Sequence, residues 1–327
     1  MPEDSKPNEE AEPAKESTAP PAKKPARRRR KPVRREETQV APAKATESVK
    51  QIPVSSAARP PTQNKETFQY EVKPTVRYLA ELKGKRTIVG LTAYDAIMGK
   101  LISDAGVDFI LVGDSVGTTL LGYDTTIPVT IDDMVRHTSA VRRSDPGCLL
   151  VADLPFGEAS MSFDRLLESC RRLMQEGGAD AVKVEGGRDL ADDIEKLVAT
   201  GIPVLGHIGL LPQTVKAIGG YRKFGAERDE AESLYTDAIS LEEAGCFAII
   251  AEMIESKVAT ELANQISPPL IGIGSGPNCD GQILVTQDLL GLTLKGIPSF
   301  VSPYANLARD ASAALTRYVG DIRKKRK

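Results

Sequence analysis

A short pattern recurs along most of this chain. A helical stretch closes on a glycine, an apolar run follows, and an acid ends the run. The first copy is Gly106-Val107-Asp108-Phe109-Ile110-Leu111-Val112-Gly113-Asp114, the second Gly178-Ala179-Asp180-Ala181-Val182-Lys183-Val184-Glu185, the third Gly245-Cys246-Phe247-Ala248-Ile249-Ile250-Ala251-Glu252. Glycine suits a helix C-terminus because it tolerates positive φ. A continuous apolar run suits a strand buried on both faces, as in a parallel sheet. Related runs at 87–91, 148–152, 203–206, 270–273 and 299–301 complete a set of eight. Eight strands separated by helices in about 230 residues point to an α/β fold of the closed (β/α)8 type.

Residues 1–68 lack the pattern. They hold 11 of the 22 prolines, 15 Lys+Arg against 10 Asp+Glu, and no Leu, Cys or Trp. Such a stretch buries too little apolar surface to offset its chain entropy. The sequence therefore predicts a disordered tail over 1–68 and a catalytic barrel domain over 69–327. The basic run Arg27-Arg28-Arg29-Arg30-Lys31 suits nucleic acid or another anionic surface. It suits equally a solvated charge run in a linker, and no aromatic residue interleaves the arginines to stack on bases. No apolar run reaches the roughly 18 residues that span a bilayer. The start, Met1-Pro2-Glu3-Asp4, is acid-rich, unlike a secretory or organelle leader. Cys148, Cys170, Cys246 and Cys279 form no CxxC pair. A cytoplasmic protein with reduced thiols and no membrane partner is expected.

Asp114, Asp153, Glu185, His207 and Glu252 each close an apolar run. In a (β/α)8 barrel the C-terminal strand ends form the active site, so these five would converge at one mouth. Helix N-caps also place Asp or Ser after a strand, but Glu and His cap poorly. Asp114, Asp153 and Glu185 are hard oxygen donors, of the kind Mg2+ prefers. With two histidines and no Cys–His pairing, a structural zinc site is not expected. Lys183 lies two residues before Glu185, on the same strand face. A buried lysine needs a partner, which an anionic substrate group could supply. His207 is a candidate for hydrogen bonding to substrate, or a core histidine. His137, in a helical stretch, reads as packing or capping. Gly272-Ile273-Gly274-Ser275-Gly276 matches no nucleotide fingerprint and reads as a tight turn.

These runs carry a resemblance. Thr92-Ala93-Tyr94-Asp95, Val112-Gly113-Asp114-Ser115, Pro128-Val129-Thr130, His137-Thr138, Ala152-Asp153-Leu154-Pro155-Phe156, Val182-Lys183-Val184-Glu185-Gly186-Gly187, Gly206-His207-Ile208-Gly209-Leu210 and Asp280-Gly281-Gln282-Ile283-Leu284-Val285 follow one another in the order found in ketopantoate hydroxymethyltransferases. The chain resembles that family over roughly 74–305. The resemblance implies a TIM barrel of the phosphoenolpyruvate/pyruvate-type superfamily. It implies an enzyme of pantothenate biosynthesis that passes a hydroxymethyl group from 5,10-methylenetetrahydrofolate to 3-methyl-2-oxobutanoate, through a Mg-stabilised enolate, to give 2-dehydropantoate. It puts the metal ligands on Asp114, Asp153 and Glu185 and the general base on Glu252. Substrate contacts fall on Asp114, Ser115, Asp153 and Lys183, joined by His207 from its strand position. The residues that hold the folate are not assigned, and a homo-oligomer, a decamer, is implied.

The loop Arg222-Lys223-Phe224-Gly225-Ala226-Glu227-Arg228 reads less like the family, and 1–68 has no counterpart in a typical member. Phosphoenolpyruvate mutases and isocitrate lyases share the barrel and its 2-oxo-acid chemistry, but their cysteine-bearing loop has no match here. A nucleic-acid scaffold working through the basic tail is the reading of another class. The barrel reading predicts that a chain beginning at Lys65 folds and keeps its turnover within about tenfold of the full chain, near 1.4 kcal/mol in barrier. Steady-state kinetics on the two forms decides this.

Overall fold

Parallel strands pair in sequence order around a closed ring. In the computed structural model, which describes residues 74–294 and 296–324, these are β1 (Ile88–Thr92), β2 (Phe109–Val112), β3 (Leu149–Asp153), β4 (Ala181–Glu185), β5 (Val204–Gly209), β6 (Ala248–Glu252), β7 (Leu270–Ile273) and β8 (Gly281–Leu284). Pairing of β1 with both β2 and β8 closes the ring and leaves no open edge. The predicted tail over 1–68, basic run included, lies outside the described residues.

Helices come between. α1 (Val76–Ala80) precedes β1, and α2 (Ala96–Asp104) returns the chain to β2. α3 (Val116–Thr119) and α4 (Ile131–Arg142) follow β2, α5 (Phe163–Gln175) follows β3, and α6 (Ala191–Ala199) follows β4. α7 (Val215–Ile218) and α8 (Arg228–Glu243) follow β5, α9 (Ser256–Gln265) follows β6, and α10 (Thr286–Leu289) and α11 (Leu307–Lys324) follow β8. Local chemistry sets several starts. Asp95 accepts from the Met98 N–H at the head of α2, and Thr130 with Asp133 forms a reciprocal capping box on α4.

The core has two parts because side chains alternate along a strand. Phe109, Leu111, Leu149, Val151, Ala181, Leu205, Ala248, Ile250, Ile271 and Ile283 belong to a cluster inside the barrel. Their neighbours, among them Ile110, Leu150, Val182, Val184 and Ile249, pack outward with the helices. This is why the strands read as unbroken apolar runs.

One strand is not where the sequence put it. Residues 299–301 form a turn, closed by the Val301 N–H on the Pro298 carbonyl at 2.9 Å, and the eighth strand is Gly281–Leu284. Pro298 and Pro303 flank the apolar run and supply no N–H for a ladder. The true β8 alternates buried and half-buried residues and includes Gln282, so it carries no apolar run to detect. His207 also shifts, from the end of β5 to a place two residues short of it.

Gly90 makes room for the largest side chain of the cluster inside the barrel. A Cβ there would strike the ring of Phe109, which is 1% exposed. Gly90→Ala is expected to cost about 1–3 kcal/mol by overpacking. In Gly90→Ala/Phe109→Leu the two costs should fall short of additive by at least about 0.5 kcal/mol. Urea unfolding of the four members of the cycle measures this; strict additivity would mean that the ring does not fill the gap.

Candidate active site

The alternation that stacks apolar side chains low in the barrel brings polar ones to its C-terminal mouth. Val151 is followed inward by Asp153, Ala181 by Lys183 and Glu185, Leu205 by His207, and Ile250 by Glu252. Register aligns them: Asp153 faces Lys183 across β3–β4, Glu185 faces His207 across β4–β5, and Gly209 faces Glu252 across β5–β6. Asp114 comes from the turn after β2, where its backbone N–H donates to Asp153 Oδ2 at 3.2 Å. None of these side chains caps a helix; the N-cap positions after these strands are Ser115, Gly157, Gly187, Leu211 and Glu255.

Lys183 holds the centre. Its Nζ donates to Asp153 Oδ1 and Oδ2 at 2.8 Å each and to Glu185 Oε1 at 3.2 Å, with 3% of the residue exposed. Burial works against its charge, but the Asp153, Glu185 and Asp114 carboxylates outweigh burial and hold the ammonium above the usual lysine range. Burial also pushes the Asp114 carboxyl well above its ordinary value, and the charges of Asp153 and Glu185 add to the push. For Glu185 burial is outweighed by Lys183 and His207, which bring it down to about 2. Burial raises Asp153 against the opposing pull of Lys183.

His207 stands between two acids, with Nδ1 3.5 Å from Glu185 Oε1 and Nε2 3.3 Å from Glu252 Oε2. Neither ring nitrogen is aligned for a hydrogen bond, so the attraction is that of charges at close range. Burial and Lys183 disfavour the imidazolium, yet the two carboxylates outweigh them and raise its pKa to about 9. Glu252 keeps 15% of its side chain exposed at the cavity wall. Its near neighbour Glu255 is 40% exposed and pairs with Lys223 at 3.8 Å, away from this group.

Two residues that sequence reasoning did not single out bind the group together. Gln213, in the short 3-10 turn Pro212–Thr214 after β5, donates from Nε2 to Asp114 Oδ2 at 3.1 Å and to the Leu154 carbonyl at 2.8 Å. Its backbone N–H donates to Glu185 Oε2 at 3.2 Å. Tyr94, 1% exposed, shares a 2.8 Å hydrogen bond with the Ser115 hydroxyl. The signal available was position: a polar amide in a loop at the C-terminal face, and a tyrosine just past β1. His137 bonds the Tyr94 carbonyl through Nδ1 at 2.8 Å, in keeping with a packing role. In the loop that departs from the family pattern, Arg222 lies over the Phe224 ring at 3.9 Å and pairs with Glu230 at 2.6 Å.

Asp114, Asp153 and Glu185 each offer a carboxylate oxygen within 4.8 Å of the others, and all three are buried. One ammonium faces three acids there, and Asp114 carries the unrelieved repulsion. Such an oxygen set fits a hard divalent cation. With Ser115, His207 and Glu252 these residues line a cavity of about 100 Å³.

A closed eight-stranded parallel barrel whose mouth gathers acids and a lysine around a small cavity belongs to the (β/α)8-barrel enzymes. Similar backbones occur in a phosphonopyruvate hydrolase solved with oxalate and Mg2+ (TM-score 0.52, 14% identity, 76% of this chain and 87% of that one) and in a phosphoenolpyruvate phosphomutase from Streptomyces platensis (TM-score 0.51, 14% identity, 78% and 89%). At that identity the likeness concerns the fold. The model of the ketopantoate hydroxymethyltransferase family matches residues 73–326. Relatives named 3-methyl-2-oxobutanoate hydroxymethyltransferase include those of Halalkalibacterium halodurans (43% identity, 77% of this chain, 90% of the relative), Thermobifida fusca (47%, 76% and 89%) and Thermus thermophilus (45%, 77% and 96%). The chain belongs to the ketopantoate hydroxymethyltransferase family, and it is an enzyme.

The centrality of Lys183 has a consequence for stability. In metal-free buffer Lys183→Met leaves three buried acids without their cation and is expected to cost about 3–5 kcal/mol. Adding Glu185→Gln should recover part of that loss. Urea unfolding of the three proteins tests it, and a Lys183→Met chain as stable as the parent would refute the account.

Proposed function

We propose that this enzyme moves the one-carbon unit of 5,10-methylenetetrahydrofolate on to C3 of 3-methyl-2-oxobutanoate, yielding 2-dehydropantoate and tetrahydrofolate with one water consumed. The observation that carries the reading is that Glu252 and the Asp114–Asp153–Lys183–Glu185 group line the same small cavity. A proton acceptor therefore faces the place where an anionic 2-oxo acid would be held.

Each residue has work that its chemistry suits. Lys183 and the Ser115 hydroxyl balance the negative charge of the substrate. Asp114, Asp153 and Glu185 are the residues that would hold Mg2+. When bound, that ion supplies a Lewis acid for charge developing on the keto oxygen. Glu252 takes the C3 proton; C3 and a water oxygen replace the two folate nitrogens on the methylene carbon, and those nitrogens take up that proton and one from the water. His207 lies 3.3 Å from Glu252, orienting its carboxylate while presenting its ring to the cavity. Gln213 keeps Asp114 and Glu185 turned toward each other through its two donors.

The same proposal takes 69–327 as the catalytic domain, a cytosolic location and a homo-oligomer. No described helix is long and apolar enough to cross a membrane. In support of self-association, α11 has no buried residue, and Leu315, Tyr318, Val319 and Ile322 form an exposed apolar stripe on it at helical spacing.

Glu252→Gln preserves shape and removes the base. It should still bind 3-methyl-2-oxobutanoate but exchange the C3 proton with deuterated water about 10²-fold more slowly than the parent. Proton NMR of the methine signal follows the exchange without any folate. Parent-like exchange in Glu252→Gln, with loss in Glu255→Gln, would move the base to Glu255.

A further inference from the structure

Beside the small catalytic cavity lies a second one of about 700 Å³. Ser115, Glu252, Ile273 and Val285 line both, so a molecule in the outer cavity lies against the same residues as one in the inner. The inner space suits a five-carbon acid. The outer one has the size of a cavity for a multi-ring molecule.

Two polar groups in the outer wall take no part in the chemistry described above. Asp288, on α10, is 7% exposed, and among the described residues its carboxylate has one partner, the Thr293 hydroxyl. No ammonium or guanidinium among the described residues pairs with it, and burial raises its carboxyl above the ordinary range. Thr126, between α3 and α4, is 3% exposed, and among the described residues its hydroxyl has no hydrogen-bond partner. A buried acceptor and a buried free hydroxyl are costly unless something pairs with them. Around them the wall is broad and apolar, with Tyr123, Ile297 and Phe300. A flat ring system bearing adjacent N–H donors matches this lining, because a carboxylate accepts two parallel N–H groups.

We propose that the outer cavity receives the bicyclic head of the one-carbon donor, its amino-pyrimidinone edge donating to Asp288 and a ring heteroatom meeting the Thr126 hydroxyl. The assignment rests on the reading that a reduced folate is the donor. Asp288 then anchors the end of the head group away from the carbon that is transferred.

Calorimetric titration with tetrahydrofolate itself provides the test, using the full chain and the variants Asp288→Asn and Thr126→Val, each verified by its circular dichroism melt. Asp288→Asn is expected to weaken tetrahydrofolate at least about tenfold, as loss of a charge-assisted hydrogen-bond pair does. An analogue lacking the 2-amino group should bind the parent correspondingly more weakly, and Asp288→Asn should weaken it little further. Equal losses for the two ligands would mean that Asp288 merely supports the loop, and would overturn the proposal. Thr126→Val, nearly the same shape, should weaken tetrahydrofolate about threefold or more and carries the test if Asp288→Asn does not fold. Parent-like binding by the folded variants overturns the assignment while leaving the donor reading intact. Failure of the parent to bind tetrahydrofolate overturns the donor reading and this assignment with it.

Discussion

The mouth of this barrel depends on one buried ammonium. Lys183 touches two carboxylates directly, and a third lies close by. Removed from water alone, that lysine would lose its charge; removed from water alone, the acids would take up protons. Together Lys183 and Glu185 favour each other's charges, while burial and a repulsion that Lys183 cannot cancel push the Asp114 carboxyl upward. Three carboxylate oxygens so close together make a set that fits a hard divalent cation. A stability optimum would have replaced it with apolar packing.

What lets the barrel carry such a group is the strict alternation of its strands. From β3 to β6 the interior side of the strand is apolar low down and polar toward the C-terminal end, as in β3, where Leu149 and Val151 precede Asp153, and in β6, where Ala248 and Ile250 precede Glu252. The low half pays the cost of folding through dense packing, and Gly90 yields its side-chain space to Phe109. The high half of those strands is polar and lines the small cavity at the mouth. One structural period thereby separates stability from chemistry along the same strands.

Much of this was legible in the residues. Glycine, apolar run and acid follow one another because a helix must end, a strand must be buried on both faces, and a polar side chain must reach the mouth. Asp153, Glu185 and Glu252 sit at strand ends as their runs predict. The eighth strand was not legible, because Gly281–Leu284 is partly polar while 299–301 is apolar and flanked by proline. Gln213 was invisible for another reason: an amide in a short turn has no period, and its three bonds reach residues 28, 59 and 99 positions away.

By itself the sequence determined seven of the eight strands, the barrel class, the family and the acids that line the mouth, since those follow from local pattern and motif order. Only the tertiary structure decided that Lys183 sits among three acids, that His207 lies between Glu185 and Glu252, and that Thr126 and Asp288 share a wall with Glu252. Those relations join residues far apart in the chain. They arise when β1 pairs with β8 and the ring closes, because closure turns eight separate strand ends into one rim.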